Sequence, residues 1–264
     1  SLVTGGKGDF ALYAGTIDQR FMLIPYDLDA VLGVQGGTTS PLWRAATNPV
    51  LDTLMNRPDV AARYWFHLDD LARTVFSADQ LEPVIDRHVG DYLPIVEVNR
   101  LKSFAAKRCE FVLSQIPRKL TIATNLPNLN GFLFSETDTV TLSGQAPATE
   151  TVAIEIDGKT ADWIPSEARW QAKASLRPGL NRLLVRALDA KSGEIERQFA
   201  NIWYGDMAHQ PFGQELVSSI RWTAEQPILV TQPLLVPHGV TLTVDPGATI
   251  CFSPKGRLLV TGRL

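Results

Sequence analysis

Two carboxylates at the end of an apolar run are the residues of this sequence best placed to do chemistry. Asp27 and Asp29 directly follow the run Phe21 to Pro25, with Tyr26 and Leu28 between them. Where the backbone turns after a buried strand, aspartates at positions i and i+2 can converge on one hard cation, and their short side chains hold it close to the scaffold. Aspartate also commonly caps turns. The spacing alone therefore fits either a metal site or a turn cap.

The elements that would position this pair are two short strands. The apolar runs Phe10 to Ala14 and Phe21 to Pro25 flank a connection of five residues, Gly15 to Gln19. Apolar runs separated by a short connection that contains glycine are typical of a β-hairpin. We therefore predict a hairpin that ends directly before the two aspartates.

Helices are predicted after the hairpin, from about residue 48 to residue 116. Asn48-Pro49 and Arg57-Pro58 each indicate a helix that begins with proline, and Ser77 is a candidate cap for the next helix. A last long helix is predicted from Leu101 to Ile116, before Pro117.

One face of the second predicted helix is expected to be buried. Its apolar residues recur at steps of three and four, which predicts that they share a face. They are Val60, Tyr64, Trp65, Leu68, Leu71, Ala72 and Val75. Asp69 and Asp70 are assigned to the solvated side of the same helix.

The helical period gives way to strand patterns from about residue 120. Polar and apolar residues alternate from Thr139 to Gly144 and from Val152 to Asp157, and Asp157-Gly158 is a tight-turn signal. Turns recur roughly every 10–20 residues, as expected of a β-sandwich. Trp163 or Trp170 is expected in its core, because tryptophan in a sandwich is more often core than a platform on which a sugar stacks.

The third part of the chain consists of short strands separated by proline-glycine corners. Pro237 to Val244 and Asp245 to Ile250 show this pattern. Some fifty residues of this kind bury little core alone, and a stack of strands that continues past Leu264 would complete it.

Composition excludes several classes of protein. The 264 residues are 45% hydrophobic and 20% charged, with a net charge of −3, which argues against disorder and against a nucleic-acid binder. No stretch approaches the ~18 apolar residues of a membrane span. Two cysteines cannot build a disulfide framework, and the four histidines lack the spacing of a zinc site. The sequence starts at Ser1 without methionine and stops in mid-pattern, so we treat it as part of a larger protein.

The hairpin, the aspartate pair and a following glycine together resemble the spore-coat protein H (CotH) kinase family. Members typically read N-Y-Y-L-Y, a short turn, an apolar strand ending in P-W-D-x-D, and a glycine. The corresponding segments here are Asp9 to Tyr13, Arg20 to Asp29, and Gly33. The helical pattern after Asn48 is similar to the family's C-terminal tail, so the resemblance covers residues 1–118.

This resemblance implies the C-terminal part of an atypical protein-kinase-like fold, with ATP and Mg²⁺ as cofactors and protein as the phosphate acceptor. Carried over by position, Asp27 would hold Mg²⁺ on the nucleotide phosphates, and Asp29 would be a second ligand or its support. The family's catalytic aspartate precedes the first strand, and residues 1–8 contain none. We expect that residue, the N-lobe and the nucleotide-binding lysine upstream of Ser1, so this segment by itself is not expected to be catalytic.

Two further resemblances complete the predicted fold class, which is multidomain, α+β and then all-β. Residues 119–206 resemble a bacterial Ig-like β-sandwich, and residues 213–264 resemble the start of a right-handed parallel β-helix. Both modules are typical of secreted or surface bacterial proteins, which implies an extracellular or cell-surface location and a protein or surface component as partner. The alternative is a non-catalytic adhesion or carbohydrate-associated scaffold whose kinase-like domain is inactive.

Overall fold

The computed structural model describes residues 10–17, 19–25, 32–33, 36–43, 49–129, 132–205, 214–225 and 227–264. Within these ranges four helices follow an N-terminal hairpin, and several sheets follow the helices. The predicted order of an α+β part followed by a strand-rich part is confirmed at this level.

The N-terminal hairpin forms where the sequence predicts it. Strands β1 (Phe10–Ala14) and β2 (Phe21–Pro25) pair antiparallel, with Phe10 opposite Pro25 and Ala14 opposite Phe21. Because Ala14 pairs with Phe21, Arg20 also belongs to the connection, which is one residue longer than predicted.

Prolines mark the starts of the first helices, as predicted. The helices are α1 (Pro49–Met55), α2 (Pro58–Arg73), α3 (Ala78–Val89) and α4 (Ile95–Gln115). Ser77 precedes α3, but its hydroxyl donates to the Thr74 carbonyl oxygen at 2.8 Å instead of capping the helix. Helix α4 begins six residues before the predicted Leu101. Ile95 and Val96 in its first turn are exposed, whereas Val98 is buried on the same face as Leu101 and Ala105.

The buried face of α2 differs from the predicted one. Ala61, Ala62, Trp65 and Ala72 are buried, whereas Leu71 is 38% exposed and Val75 is 58% exposed. At 3.6 residues per turn, Leu71 lies about 120° around the axis from Trp65, and Val75 lies beyond the end of the helix. The prediction that both are buried is wrong.

Asp69 is also not on a solvated face. Its side chain is 19% exposed and forms ion pairs with Arg73 of the same helix and with Arg118, which follows α4. Burial acts to raise the pKa of Asp69, but hydrogen bonds from Arg118 and Arg73 and their charges outweigh burial and hold the pKa of that carboxyl below its ordinary value. Asp69 thus joins α2 to the end of the helical part.

Among the described residues between 128 and 204, nine strands form two sheets. The six-stranded sheet has the order β3-β4-β11-β10-β6-β7. Its strands are β3 (Asn128–Leu129), β4 (Phe132–Ser135), β6 (Ala153–Ile156), β7 (Lys159–Thr160), β10 (Gly179–Leu188) and β11 (Glu194–Tyr204). The three-stranded sheet, in the order β5-β9-β8, contains β5 (Thr139–Gln145), β8 (Asp162–Ile164) and β9 (Arg169–Ser175). All neighbours pair antiparallel except β4 and β11.

The two sheets share one hydrophobic cluster. Leu142 and Trp170 of the smaller sheet pack with Ile154, Val185 and Ile202 of the larger one. Trp170 is 1% exposed, which confirms that it is a core residue and leaves no face for a sugar.

The predicted tight turn at Asp157-Gly158 connects β6 to β7. Both residues have positive φ, 48° and 78°, as a two-residue hairpin turn requires.

The C-terminal strands pair in parallel, and paired residues are separated by a nearly constant number of positions in the sequence. Strands β12 (Ile220–Trp222), β13 (Ile228–Val230) and β14 (Pro233–Val236) pair with β15 (Leu242–Val244), β16 (Ile250–Phe252) and β17 (Arg257–Val260), respectively. Ile220 lies opposite Leu242 and Ile228 opposite Ile250, so the chain returns to the same position after 22 residues. The enclosed side chains form one apolar cluster of Trp222, Ile228, Val230, Leu234, Val236 and Leu242.

Across the described ranges, no helix has both the length and the apolar character needed to cross a membrane.

Candidate functional site

The two aspartates predicted to bind Mg²⁺, Asp27 and Asp29, lie outside the described residues. Their role as metal and nucleotide ligands stays a prediction. The structure describes what stands on either side of them, which is strand β2 up to Pro25 and the turn at Leu32 and Gly33.

Gly33 brings the chain after the aspartates against helix α4. Its φ is +90°, a conformation that residues with a side chain rarely adopt. A Cβ atom at this position would lie 2.8 Å from Cδ2 of Phe104, closer than van der Waals contact allows. The glycine that follows the aspartates in the sequence pattern is therefore required by packing against α4.

The next stretch of chain, residues 36–43, is held to the helices by two polar side chains. Nη1 of Arg108 donates hydrogen bonds to the carbonyl oxygens of Thr38, at 3.0 Å, and Ser40. The Tyr64 hydroxyl donates to the Leu42 carbonyl oxygen. Burial raises the pKa of Tyr64, against the opposing charge of Arg108, so the phenol stays protonated and remains a donor.

A mainly apolar pocket of about 340 Å³ lies between α2 and α4, beside Gly33. Leu68, Phe104 and Cys109 line it. The thiol of Cys109 donates to the Phe76 carbonyl oxygen at 2.9 Å, and burial raises the pKa of Cys109, partly offset by Arg108. A thiol with a raised pKa is a poor nucleophile, so the pocket shows no activated cysteine.

Aromatic rings join the helical part to the smaller sheet. Trp43 stacks on Trp65, with ring centroids 5.8 Å apart and planes 29° apart, and the Tyr64 ring meets Trp43 edge-on at 5.0 Å. Trp65 donates a hydrogen bond from Nε1 to the carbonyl oxygen of Pro165 at 2.9 Å. Ala168, next to this turn, is fully buried in the same cluster.

Sequence reasoning missed this aromatic arrangement. It assigned Tyr64 and Trp65 to one buried helix face and gave Trp43 no role. Trp43 lies 22 positions before Trp65, and no local spacing links the two. The one available signal was the cluster of aromatic residues itself.

Within the part of the chain that the structure describes, no group of three or more His, Cys, Asp or Glu side chains could hold a metal ion.

No protein-family model matches this chain, and no curated protein is significantly similar to it.

Proposed function

We propose that this chain is the C-terminal part of a secreted, CotH-like protein kinase, and that the complete protein transfers phosphate from ATP to a protein in the presence of Mg²⁺. The observation that carries this proposal is hairpin β1–β2. It pairs Phe10 with Pro25 and so ends two positions before Asp27. An aspartate immediately after a strand is where kinases hold the metal that bridges the nucleotide phosphates.

The contact of Gly33 with Phe104 supports the same proposal. It returns the chain to helix α4 within six residues of Asp27, so the segment with the two carboxylates runs from strand β2 to a turn that packs on α4. Asp27 would hold Mg²⁺, and Asp29 would be its second ligand or support. The bound metal would neutralise charge on the phosphates.

We infer that residues 119–206 are an Ig-like module and that residues 213–264 begin a parallel β-helix. Two sheets around the buried Trp170 support the first inference, and parallel pairs at 22-residue spacing support the second. Such modules act as spacers or attachment elements, which favours an extracellular or cell-surface location.

The second candidate function is a non-catalytic surface scaffold. The continuous packing from one part of the chain to the next favours it. Trp65 packs with Ala168 between the helices and the smaller sheet, and Trp203 packs with Leu229 and Cys251 between the larger sheet and the parallel strands. Apolar contacts at both junctions restrict the movement of one part against the next, as a spacer requires.

Phosphoryl transfer separates the two candidates. The protein with its upstream sequence is incubated with ATP and Mg²⁺, alone and with extracellular proteins of its source, and phosphate incorporation is measured by mass spectrometry. A kinase incorporates phosphate, and the Asp27→Asn variant does not. Asp79→Asn, which removes a carboxylate from an exposed position in the first turn of α3, should behave as the wild type. Incorporation that is absent in the wild type, or equal in the Asp27→Asn variant, contradicts the kinase proposal.

A further inference from the structure

A cleft of about 310 Å³ lies where the helical part meets the smaller sheet. Its aromatic wall is formed by Trp43, Trp65 and Phe111. The other walls carry polar side chains from the end of α4, the end of β5, the turn before β9 and the start of β9, namely Gln115, Gln145, Ser166, Glu167 and Arg169. None of the residues that line this cleft belongs to the sequence segment that carries Asp27 and Asp29, and the role proposed for it does not depend on the proposed kinase activity.

Trp65 is almost fully buried, so the accessible ring surface of this wall belongs to the half-buried Trp43 and Phe111. Trp65 is 5% exposed, and its indole nitrogen is engaged by the Pro165 carbonyl oxygen. Trp43 is half-buried, stacked on Trp65 and contacted edge-on by Tyr64. Such rings present apolar area at little cost in side-chain freedom.

The polar wall is balanced in charge. Glu167 and Arg169 form an ion pair at 3.3 Å, and the other polar groups are two amides and a hydroxyl. An anionic ligand such as a phosphate needs excess positive charge. The one positive charge of this wall, on Arg169, is paired with Glu167. Amide, hydroxyl, carboxylate and guanidinium groups together donate and accept hydrogen bonds, which suits a ligand rich in hydroxyl groups.

Gln145 has a side chain free to take part. Among the described residues, the hydrogen bonds at Gln145 use its backbone N–H and carbonyl, both with Thr121. Gln145 is exposed and lies opposite Arg169 in the pairing of β5 with β9, so the amide and the guanidinium stand on neighbouring strands.

We propose that this cleft binds a neutral saccharide unit. The C–H face of a sugar ring would lie on the Trp43 ring, and its hydroxyls would meet Gln115, Gln145 and the Glu167–Arg169 pair. The volume is at the lower end of the roughly 300–1,000 Å³ of small-molecule sites, which suits one or two sugar rings. A proline-rich peptide also packs on aromatic grooves, but it carries few donors and would leave this polar wall unused.

Saturation-transfer NMR with the intact chain tests the proposal, using cellobiose, N,N′-diacetylchitobiose and maltose as neutral probes at about 10 mM, since a weak site is the expected case. At least one disaccharide should bind saturably. Gln115→Leu and Trp43→Ala should each weaken that binding about tenfold or more, the loss expected when a hydrogen-bonding or stacking group is removed. Gln171→Leu, an exposed glutamine on β9 outside the cleft, is the matched control and should bind as the wild type does.

Trp43→Ala removes a ring that packs on Trp65 and can therefore disturb folding. If that variant does not fold, the binding measured with Gln115→Leu tests the proposal alone. Absence of binding to all three disaccharides overturns the proposal. Unchanged affinity in Gln115→Leu, or an equal loss in Gln171→Leu, overturns it as well. Saturable binding of a decaproline peptide with no disaccharide bound would assign the cleft to peptides and reject the saccharide.

Discussion

Nε1 of Trp65 donates a hydrogen bond to the carbonyl oxygen of Pro165 at 2.9 Å, although the two residues are 100 positions apart in the sequence. The bond crosses from helix α2 to the turn between β8 and β9. Trp65 is 5% exposed, so the bond is shielded from water. It fixes the helical part against the smaller sheet and holds Trp65 in the aromatic wall of the cleft.

Replacing Trp65 by phenylalanine should destabilise the protein. Phenylalanine lacks the five-membered ring of the indole, so the buried Pro165 carbonyl oxygen loses its donor, which alone costs about 1–3 kcal/mol. Urea unfolding of the intact chain measures the change. Phe66→Leu, at a neighbouring position that is 52% exposed, should stay within about 0.5 kcal/mol of the wild type. An equally small effect of Trp65→Phe would mean that the bond does not hold the interface.

Leu68 and Leu71 should differ in their contribution to stability. Leu68 packs against the cluster around Trp65, whereas Leu71 is 38% exposed. Leu68→Ala should cost about 2 kcal/mol, and Leu71→Ala less than about 1 kcal/mol. Thermal unfolding of both variants provides the measurement, and a larger loss in Leu71→Ala would restore the helix face predicted from the sequence.

The local elements could be predicted because their signals are local. Strands β1 and β2 have the predicted bounds, because each is a short apolar run between polar turn residues. Helix α2 begins at the proline that predicted it, Pro58. Asp157-Gly158 turns as its residue types require.

What failed depends on contacts between distant residues. The buried face of α2 was predicted from apolar spacing. In the structure the small residues Ala61 and Ala72 are buried against the neighbouring elements, whereas Leu71 is exposed. Asp69 forms an ion pair with Arg118, which lies 49 positions away in the sequence, and local spacing gives no sign of this contact. The cleft between Trp43 and Gln115 has no local pattern at all, because its walls come from separate elements.

Alanine at Gly33 should be poorly tolerated. A positive φ and the approach to Phe104 act together, and we expect a loss of about 1–3 kcal/mol in the free energy of unfolding. Gly37→Ala is the matched control, because a Cβ there meets no atom closer than 4.0 Å. Chemical denaturation of the two variants in parallel makes the comparison. If Gly33→Ala and Gly37→Ala lower the free energy of unfolding equally, the contact of Gly33 with α4 does not contribute to stability.

The stability contributed by Asp69 should depend on pH. The pKa of this carboxyl is lowered in the folded protein, so the ionised form stabilises the fold above the ordinary value near pH 4, and the contribution is lost as the pH falls through the lowered pKa. Asp69→Asn should therefore be less stable than the wild type at neutral pH, and the difference should shrink as the pH falls below about 4.

Urea unfolding at a series of pH values measures this difference. Asp70→Asn removes the same charge from an exposed neighbouring position and serves as the control. A difference between wild type and Asp69→Asn that is constant with pH would show that the ion pairs with Arg73 and Arg118 do not set the pKa.

Magnesium-dependent binding of ATP tests the central proposal most directly. Calorimetric titration of ATP into the protein with its upstream sequence is performed with Mg²⁺ and with EDTA. The proposal predicts binding only with Mg²⁺, abolished by Asp27→Asn and weakened less by Asp29→Asn, because the first carboxylate holds the metal on the phosphates. ATP binding that is unchanged in Asp27→Asn, or that needs no Mg²⁺, would contradict the proposal and leave both aspartates as turn-capping residues.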